Sequence, residues 1–137
     1  MFNITTKSDY GFIIMLELAK KYQKGHISLA QIANDKKLSA GYLMQIIQPL
    51  VKAGLVESKE GKGGGFALKK DPKKTSVLEI LQTLEGPIRL VKCLKDDSQC
   101  CEGFNVCEAK KVWPIIVKDV QNALAQRTLF DLVKKIK

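Results

Sequence analysis

Apolar residues in the first fifty positions recur every three or four residues, which is the spacing of one face of an α-helix. They predict three helices: the first follows Thr6 and ends at Gly25, the second begins at Ser28, and the third begins at Ser39. Both serines are N-cap residues, whose hydroxyl oxygens accept hydrogen bonds from the first helical turn. The predicted buried positions are Gly11, Ile14, Met15, Leu18, Ala19 and Tyr22, then Leu29, Ile32 and Ala33, then Leu43, Ile46, Ile47 and Leu50.

The pattern then changes to two short runs, 55–59 and 65–69, joined by a glycine-rich tip. Such a pair of runs predicts a β-hairpin. Beyond it, Ser76 is predicted to begin a fourth helix, which Gly86 and Pro87 end.

Two helices are predicted in the C-terminal part of the chain. The first is long, and its apolar face is broader than covering a small domain requires, so we expect it to pair with a helix of a second subunit. Thr128 is predicted to begin a last helix over 129–136. Pro49 is expected to kink or shorten the third helix, and Pro114 to mark the first turn of the long one.

Two helices, a short turn, a third helix and a glycine-tipped hairpin form the order of a winged helix-turn-helix. The predicted fold class is therefore mainly α with a small β-hairpin wing, followed by a long C-terminal dimerisation helix. The predicted division is a DNA-binding domain over 1–85, a cysteine-containing loop over 86–108, and the dimerisation and C-terminal helices over 109–137.

The charge distribution also suits a DNA-binding protein. The net charge is +9, and residues 1–75 carry +7 of it, which suits a polyanion such as double-stranded DNA, although a soluble lysine-rich surface has the same composition. The chain has no run of about 18 apolar residues, so no membrane span is expected. Its N-terminus lacks the apolar core of a signal peptide, which predicts a cytoplasmic protein. It also lacks a catalytic pair and a nucleotide fingerprint, so no enzymatic activity is expected.

In a winged helix-turn-helix, the N-terminal residues of the third helix read base edges, and lysines and backbone amides of the wing contact phosphates. Gln45 has the amide that pairs with adenine, and Gly41 lets the backbone approach closely. The alternative is a three-helix core without a ligand, in which Tyr42 is a half-buried aromatic and the tip a solvated turn. The predicted DNA-binding residues are Ser28, Ser39, Gly41, Tyr42, Gln45, Lys59, Lys62, Gly63 and Gly64.

All four cysteines lie within fifteen positions, "CLKDDSQCCEGFNVC", from Cys93 to Cys107. In a reducing compartment such clustering favours metal or redox chemistry over a structural disulfide. A zinc site on all four is one alternative, although the usual pairs two to four residues apart are missing. A redox switch based on the adjacent Cys100 and Cys101 is another. A metal or cluster carrier, with the helix-turn-helix as a scaffold, is a third.

The segments "ITTKSDYGF", "ISLAQIA", "LSAGYLMQII", "LVKAGLVESKEGKGGGFAL" and "LEGPI", together with the cysteine loop, resemble in order the Rrf2 family of bacterial transcription regulators. The resemblance covers nearly the whole chain. It implies a homodimeric regulator, in the first instance a repressor, that binds a palindromic operator. It also implies an iron–sulfur cluster, [2Fe–2S] or [4Fe–4S], on three cysteines of the loop, which senses iron, redox state or nitric oxide.

The same resemblance suggests the ligands. Cys93, Cys101 and Cys107 have the spacing of iron-responsive members, with Cys100 as the alternative to Cys101. Where cluster-sensing members have a histidine ligand this chain has Lys110, whose protonated amine cannot ligate. Asp9 aligns with the aspartate that nitric-oxide-sensing members donate from the partner subunit; its alternative role is a carboxylate at a helix N-terminus.

Two departures concern DNA reading. This chain has Met44 where members that read a defined operator often have glutamate, and Glu60 where the wing often has arginine. An operator sequence therefore does not transfer from the family.

Overall fold

Six α-helices and one β-hairpin follow each other in the predicted order in the computed structural model, which describes residues 4–91 and 107–136. Their order and composition confirm the predicted mainly helical, winged helix-turn-helix fold. The elements are α1 (Thr6–Lys20), α2 (Leu29–Lys36), α3 (Ala40–Lys52), β1 (Val56–Lys59), β2 (Gly65–Leu68), a 3₁₀ turn (Pro72–Lys74), α4 (Val77–Glu85), α5 (Ala109–Gln126) and α6 (Leu129–Ile136).

The four predicted N-caps are all formed. The hydroxyl oxygens of Ser28, Ser39, Ser76 and Thr128 each accept a hydrogen bond from the amide three residues later, at 3.1, 3.3, 3.0 and 3.1 Å. At α6 the cap is reciprocal, because the amide of Thr128 donates to the carboxylate of Asp131 at 3.0 Å. These bonds satisfy amides that a helix leaves without an internal partner.

The hydrophobic core lies between α1, α2, α3, α4 and α6, and Ile14, Leu43 and Ile80 are completely buried in it. Gly11 allows α1 to pack closely on α4, because a Cβ there would clash with the side chain of Leu84. The C-terminal helix belongs to the same core. Leu129 is completely buried, and its amide donates to the carbonyl of Thr75 at 2.8 Å.

The hairpin is antiparallel, and its register pairs Val56 with Leu68 and Lys59 with Gly65. A third segment extends it, since Ile27 and Phe66 exchange backbone hydrogen bonds of 2.9 and 2.8 Å. The wing is thereby joined to the residue before the N-cap of α2.

The structure differs from the predictions at the end of α1 and at the start of α5, and it excludes an early end of α3. α1 ends at Lys20, before the predicted Gly25, which has a φ of 104° in the following turn. Of the two effects expected of Pro49, the early end does not occur, because α3 continues past Pro49 to Lys52. α5 begins at Ala109, which places Pro114 beyond the first turn.

Tertiary packing explains the tolerated Pro49. A proline inside a helix removes one hydrogen bond and costs about 3 kcal/mol. Leu50, the next residue, is completely buried in the core, as is Ile47. Continuing the helix past Pro49 keeps Leu50 buried, which stabilises by about 1.5–3 kcal/mol and so offsets most of the lost bond.

Candidate nucleic-acid interface

The outer face of α3 carries an uncharged exposed stripe. Gly41, Met44, Gln45 and Gln48 are exposed, and their spacing places them on one side of the helix. The opposite side is buried in the core through Leu43, Ile46, Ile47 and Leu50. Packing of the inner face therefore determines which side chains α3 presents to solvent.

The N-terminus of α3 is held open toward that surface. Ser39 is exposed, and its hydroxyl oxygen accepts from the amide of Tyr42 while its hydrogen is left for a donor role. A Cβ on Gly41 would meet only the Ser39 oxygen, at 3.9 Å. The backbone at Gly41 is accordingly open to close approach, as predicted from its sequence.

Tyr42, a predicted DNA-binding residue, also makes contacts within the protein. It is half-buried, its ring meets the ring of Tyr10 edge-on at 5.1 Å, and its hydroxyl oxygen lies 3.1 Å from that of Thr6. The expectation of a half-buried aromatic is thus confirmed. Because Thr6 begins α1, Tyr42 links the N-termini of α1 and α3.

A surface pocket of about 250 Å³ lies where these helices meet, and two of its polar lining residues are Lys7 and Gln45. The remaining lining residues are Tyr42, Ile46, Pro49 and Leu84. Sequence reasoning did not identify Lys7 or Gln48. Gln48 could have been found from the sequence, because it lies one helical turn after Met44 on the same face. Nothing in the sequence indicated Lys7, because only the packing of α1 against α3 brings it to this pocket.

The N-terminus of α1 is fastened to the end of α4 by one carboxylate oxygen. Oε1 of Glu85 accepts hydrogen bonds from the amide and hydroxyl of Thr5, at 3.0 and 2.6 Å, and from the hydroxyl of the buried Ser8, at 2.7 Å. Partial burial raises the pKa of Glu85, but the hydrogen bonds from Thr5 and Ser8 outweigh it, so the pKa lies below its ordinary value. Sequence reasoning missed this cluster.

The wing presents cations on a turn that only glycine permits. Lys59, Lys62 and Gly63 are exposed, and Gly63 has a φ of 76°. The amide of Gly64 closes the turn onto the carbonyl of Gly61 at 3.0 Å, and a Cβ on Gly64 would clash with the backbone at Lys59. Ser28 lies beside the base of the wing, exposed at the start of α2.

Of the predicted cluster ligands, Cys107 and Asp9 lie within the described residues. Cys107 is half-buried just before α5, and Asp9 is exposed in the first turn of α1. Cys93, Cys100 and Cys101 lie outside the described residues. Residues 4–91 and 107–136 alone contain no group of three or more metal-binding side chains.

The long helix α5 packs on α4, yet none of its eighteen residues is buried. Val112, Ile115 and Ile116 are 49%, 64% and 36% exposed on its outer side. Exposed apolar residues at helical spacing are typical of a surface that another helix covers. None of the helices that the structure describes has the length and apolar character to span a bilayer.

A capped helix with an exposed outer face, a glycine-tipped wing with exposed lysines and a basic N-terminal half define a winged helix-turn-helix DNA-binding protein. A family model, Rrf2, described as iron-dependent transcriptional regulator, matches residues 4–135. The chain belongs to the Rrf2 family of transcription regulators. This confirms the resemblance found in the sequence, and also the prediction that the protein is not an enzyme.

The chain is also similar to individual transcription regulators of known sequence or structure. The transcriptional regulator CymR of Bacillus subtilis is 40% identical over 129 residues, which cover 94% of this chain and 88% of CymR. The solved structure of this global cysteine regulator superposes with a TM-score of 0.80 at 38% identity, and the superposition covers 98% of both chains. The regulator IscR of Xenorhabdus nematophila is 30% identical over 131 residues, 96% of this chain and 79% of IscR.

Proposed function

We propose that this protein is a homodimeric repressor that binds a palindromic operator through α3 and the wing. The observation that carries the proposal is the exposed, uncharged stripe on α3 beside a glycine-tipped wing that exposes Lys59 and Lys62. In this arrangement Gln45 hydrogen-bonds adenine, and Ser39 and Gly41 allow close approach to the groove. Tyr42 orients α3, while Ser28, Lys59, Lys62, Gly63 and Gly64 contact the sugar–phosphate backbone.

The two subunits pair through α5. Its outer side is apolar and exposed at Val112, Ile115 and Ile116, and two such helices packed together remove this surface from water. A two-fold dimer presents two copies of α3, which matches the symmetry of a palindromic operator. In this division residues 1–85 bind DNA, 86–108 sense the signal, and 109–137 dimerise.

The signal acts on the cysteine loop, and the donor set suits an iron–sulfur cluster. Three thiolates, from Cys93, Cys101 and Cys107, with Asp9 from the partner subunit, provide four ligands of which one is a labile carboxylate. When bound, the cluster supplies a group that iron limitation, oxidants or nitric oxide alter. The exposed position of Asp9 on α1 leaves its carboxylate accessible to a second subunit.

The chain's own contacts give the loop a route to the DNA-binding face. The loop joins α4 to α5, and Glu85 at the end of α4 holds Thr5 and Ser8 at the start of α1. Thr6 in turn touches Tyr42 on α3. A change of the loop that displaces Glu85 therefore alters how α1 supports α3, and with it the geometry of DNA reading.

A thiol switch is the second candidate, and two observations favour it. The relative from Bacillus subtilis is a global cysteine regulator, and Cys100 and Cys101 of this chain are adjacent. In this mechanism hydrogen peroxide takes two electrons and two protons from two thiols, which become a disulfide, and leaves as two waters. No cluster is involved, and Cys100 pairs with Cys93 or Cys107.

The decisive experiment is anaerobic purification of the full chain, with the absorption spectrum, counts of iron, sulfide and zinc, and selection from a random-sequence duplex library. A visible chromophore with iron and sulfide supports the cluster. Colourless protein whose DNA binding changes reversibly with peroxide supports the thiol switch. Zinc without iron supports a zinc site, and weak, equal binding to all duplexes indicates a carrier and contradicts the repressor.

Two neighbouring substitutions form the matched control. We expect Cys101→Ala to lose the chromophore and Cys100→Ala to keep it, because only the former removes a proposed ligand. The reverse result would exchange the ligand assignment between the two. A chromophore that survives alanine at each of Cys93, Cys101 and Cys107 would contradict the cluster proposal.

A further inference from the structure

Met44 is the one apolar side chain on the exposed stripe of α3, within the part of the chain that the structure describes. It is 45% exposed, directly precedes Gln45, and faces away from the core. Its neighbours on the stripe, Gly41 and Gln48, provide no apolar surface. An apolar side chain here lies among polar groups on the very face that the proposed function turns toward DNA.

A hydrogen bond holds this side chain to the helix. The side-chain amide nitrogen Nε2 of Gln48 donates to the sulfur of Met44 at 3.7 Å, across one helical turn. Methionine otherwise has three freely rotating bonds, so the contact restricts where its thioether lies. Less conformational entropy is then lost when the side chain is buried against a partner.

The chemistry of the major groove limits what an uncharged apolar group can recognise there. Base edges present hydrogen-bond donors and acceptors, and the 5-methyl group of thymine is their apolar feature. A methionine has no hydrogen to donate and only a weakly accepting sulfur, so it distinguishes bases by burying that methyl. A carboxylate at the same position would instead accept from the amino group of cytosine.

We propose that Met44 is a specificity-determining residue that selects thymine in each half-site by contact with its 5-methyl group. The proposal rests on the proposed function, because it requires α3 to lie in the major groove. It adds the identity of a base that Gln45 alone does not specify. Gln48 is a positioning residue that acts through the sulfur of Met44.

Uracil provides the test, because it differs from thymine only by the 5-methyl group. The probe is the duplex that the wild-type protein enriches most from a random-sequence library, with each thymine replaced in turn by deoxyuridine. We expect one position per half-site at which uracil weakens wild-type binding about fourfold, the loss that corresponds to one apolar carbon group. Met44→Ala is expected to bind thymine and uracil duplexes alike at that position.

Two variants control for unrelated effects. Met44→Leu keeps an apolar side chain and is expected to retain the preference for thymine. Ile136→Ala removes an exposed apolar group, 56% exposed at the end of α6, and is expected to keep the wild-type loss of affinity on uracil at that position. Thermal unfolding of each variant checks that the fold persists.

The outcomes separate the two proposals. Wild-type protein that binds an enriched sequence but tolerates uracil at every thymine overturns the role of Met44 and leaves the DNA-binding function standing. The same holds if Met44→Ala is as sensitive to uracil as the wild type. Failure of the wild type to enrich any sequence overturns the proposed function, and the role of Met44 with it.

Discussion

The carboxylate of Glu85 and the hydroxyl of Thr5 lie 2.6 Å apart, which joins the last residue of α4 to the N-cap of α1 across eighty positions of sequence. The same carboxylate oxygen holds Ser8. The hydroxyl of Thr5 also accepts from the amide of Lys7 at 3.2 Å, so the start of α1 depends on this one group. Because Glu85 immediately precedes the segment that leads to the cysteines, this contact lies on the route proposed above from the cysteine loop to α3.

Removal of this carboxylate should destabilise the fold. We expect Glu85→Ala to lower the free energy of unfolding by about 2 kcal/mol, since it leaves the buried hydroxyl of Ser8 without its acceptor. Chemical denaturation measures the change. Glu79→Ala is the control: its carboxylate pairs with Lys70 at the surface, at 2.7 Å, and such pairs contribute at most about 1 kcal/mol. Equal losses in the two variants would contradict a special role for Glu85.

The unfolding free energy of the wild type should depend on pH through the carboxylate of Glu85. Hydrogen bonds lower the pKa of Glu85 in the folded state below its ordinary value of 4.5. Its stabilising contribution is therefore present above pH 4.5 and is lost as the pH falls through the folded-state pKa. Glu17 and Asp131 also have lowered pKa values, so the wild type alone does not isolate the effect.

The informative quantity is the difference between the wild type and Glu85→Ala. We expect this difference in unfolding free energy to be constant near neutral pH and to shrink below pH 4.5. Denaturant titrations across the acidic range measure it. A difference that stays constant in acid would show that folding does not lower the pKa of Glu85.

Gly41→Ala should separate folding from binding. Gly41 lies in a helix with open space around it, so alanine is expected to stabilise the fold by about 0.5–1 kcal/mol. The added methyl group would nevertheless obstruct close approach of the α3 backbone to DNA. We expect a higher melting temperature together with weaker operator binding. Unchanged binding would place the DNA away from the N-terminus of α3.

The wing lysine should contribute sequence-independent affinity. We expect Lys62→Ala to weaken binding to all duplexes alike, and to reduce the slope of log affinity against log salt by about one per subunit. Filter binding over a series of salt concentrations measures this slope. Lys24→Ala, an exposed lysine in the turn after α1, is the control and should leave the slope unchanged.

The outer face of α5 should determine the oligomeric state. We expect Ile115→Glu to convert the dimer to a monomer, because it places a charge on a surface proposed to be buried between subunits. Sedimentation equilibrium measures the mass. Ala125→Glu introduces the same charge at an exposed position on another side of α5 and should leave the dimer intact. A dimeric Ile115→Glu protein would move the interface elsewhere.

The local pattern of the chain was enough to predict most of the fold. Capping residues such as Ser39 and Thr128 act on amides three positions away, and apolar spacing identifies a buried helix face without knowledge of what covers it. The hairpin and its glycine-rich tip were predicted for the same reason. These features depend on interactions between near neighbours, so they can be predicted from the sequence.

The exposed face of α3 in the candidate site could also be predicted from the sequence. The periodicity that buries Leu43 and Ile46 in α3 necessarily exposes Gln45 on the opposite side. Tyr42, by contrast, is held by Tyr10 and Thr6, and these contacts depend on how α1 crosses α3.

Sequence alone therefore determined the elements, their caps, their order and the uncharged exposed face of α3. Only the tertiary structure decided that α3 continues through Pro49, that Ile27 joins the wing, and that Glu85 holds Thr5. The physical reason is the same in each case. These outcomes depend on burial and hydrogen bonds between segments far apart in the chain, and such pairings leave no periodic signal in either segment.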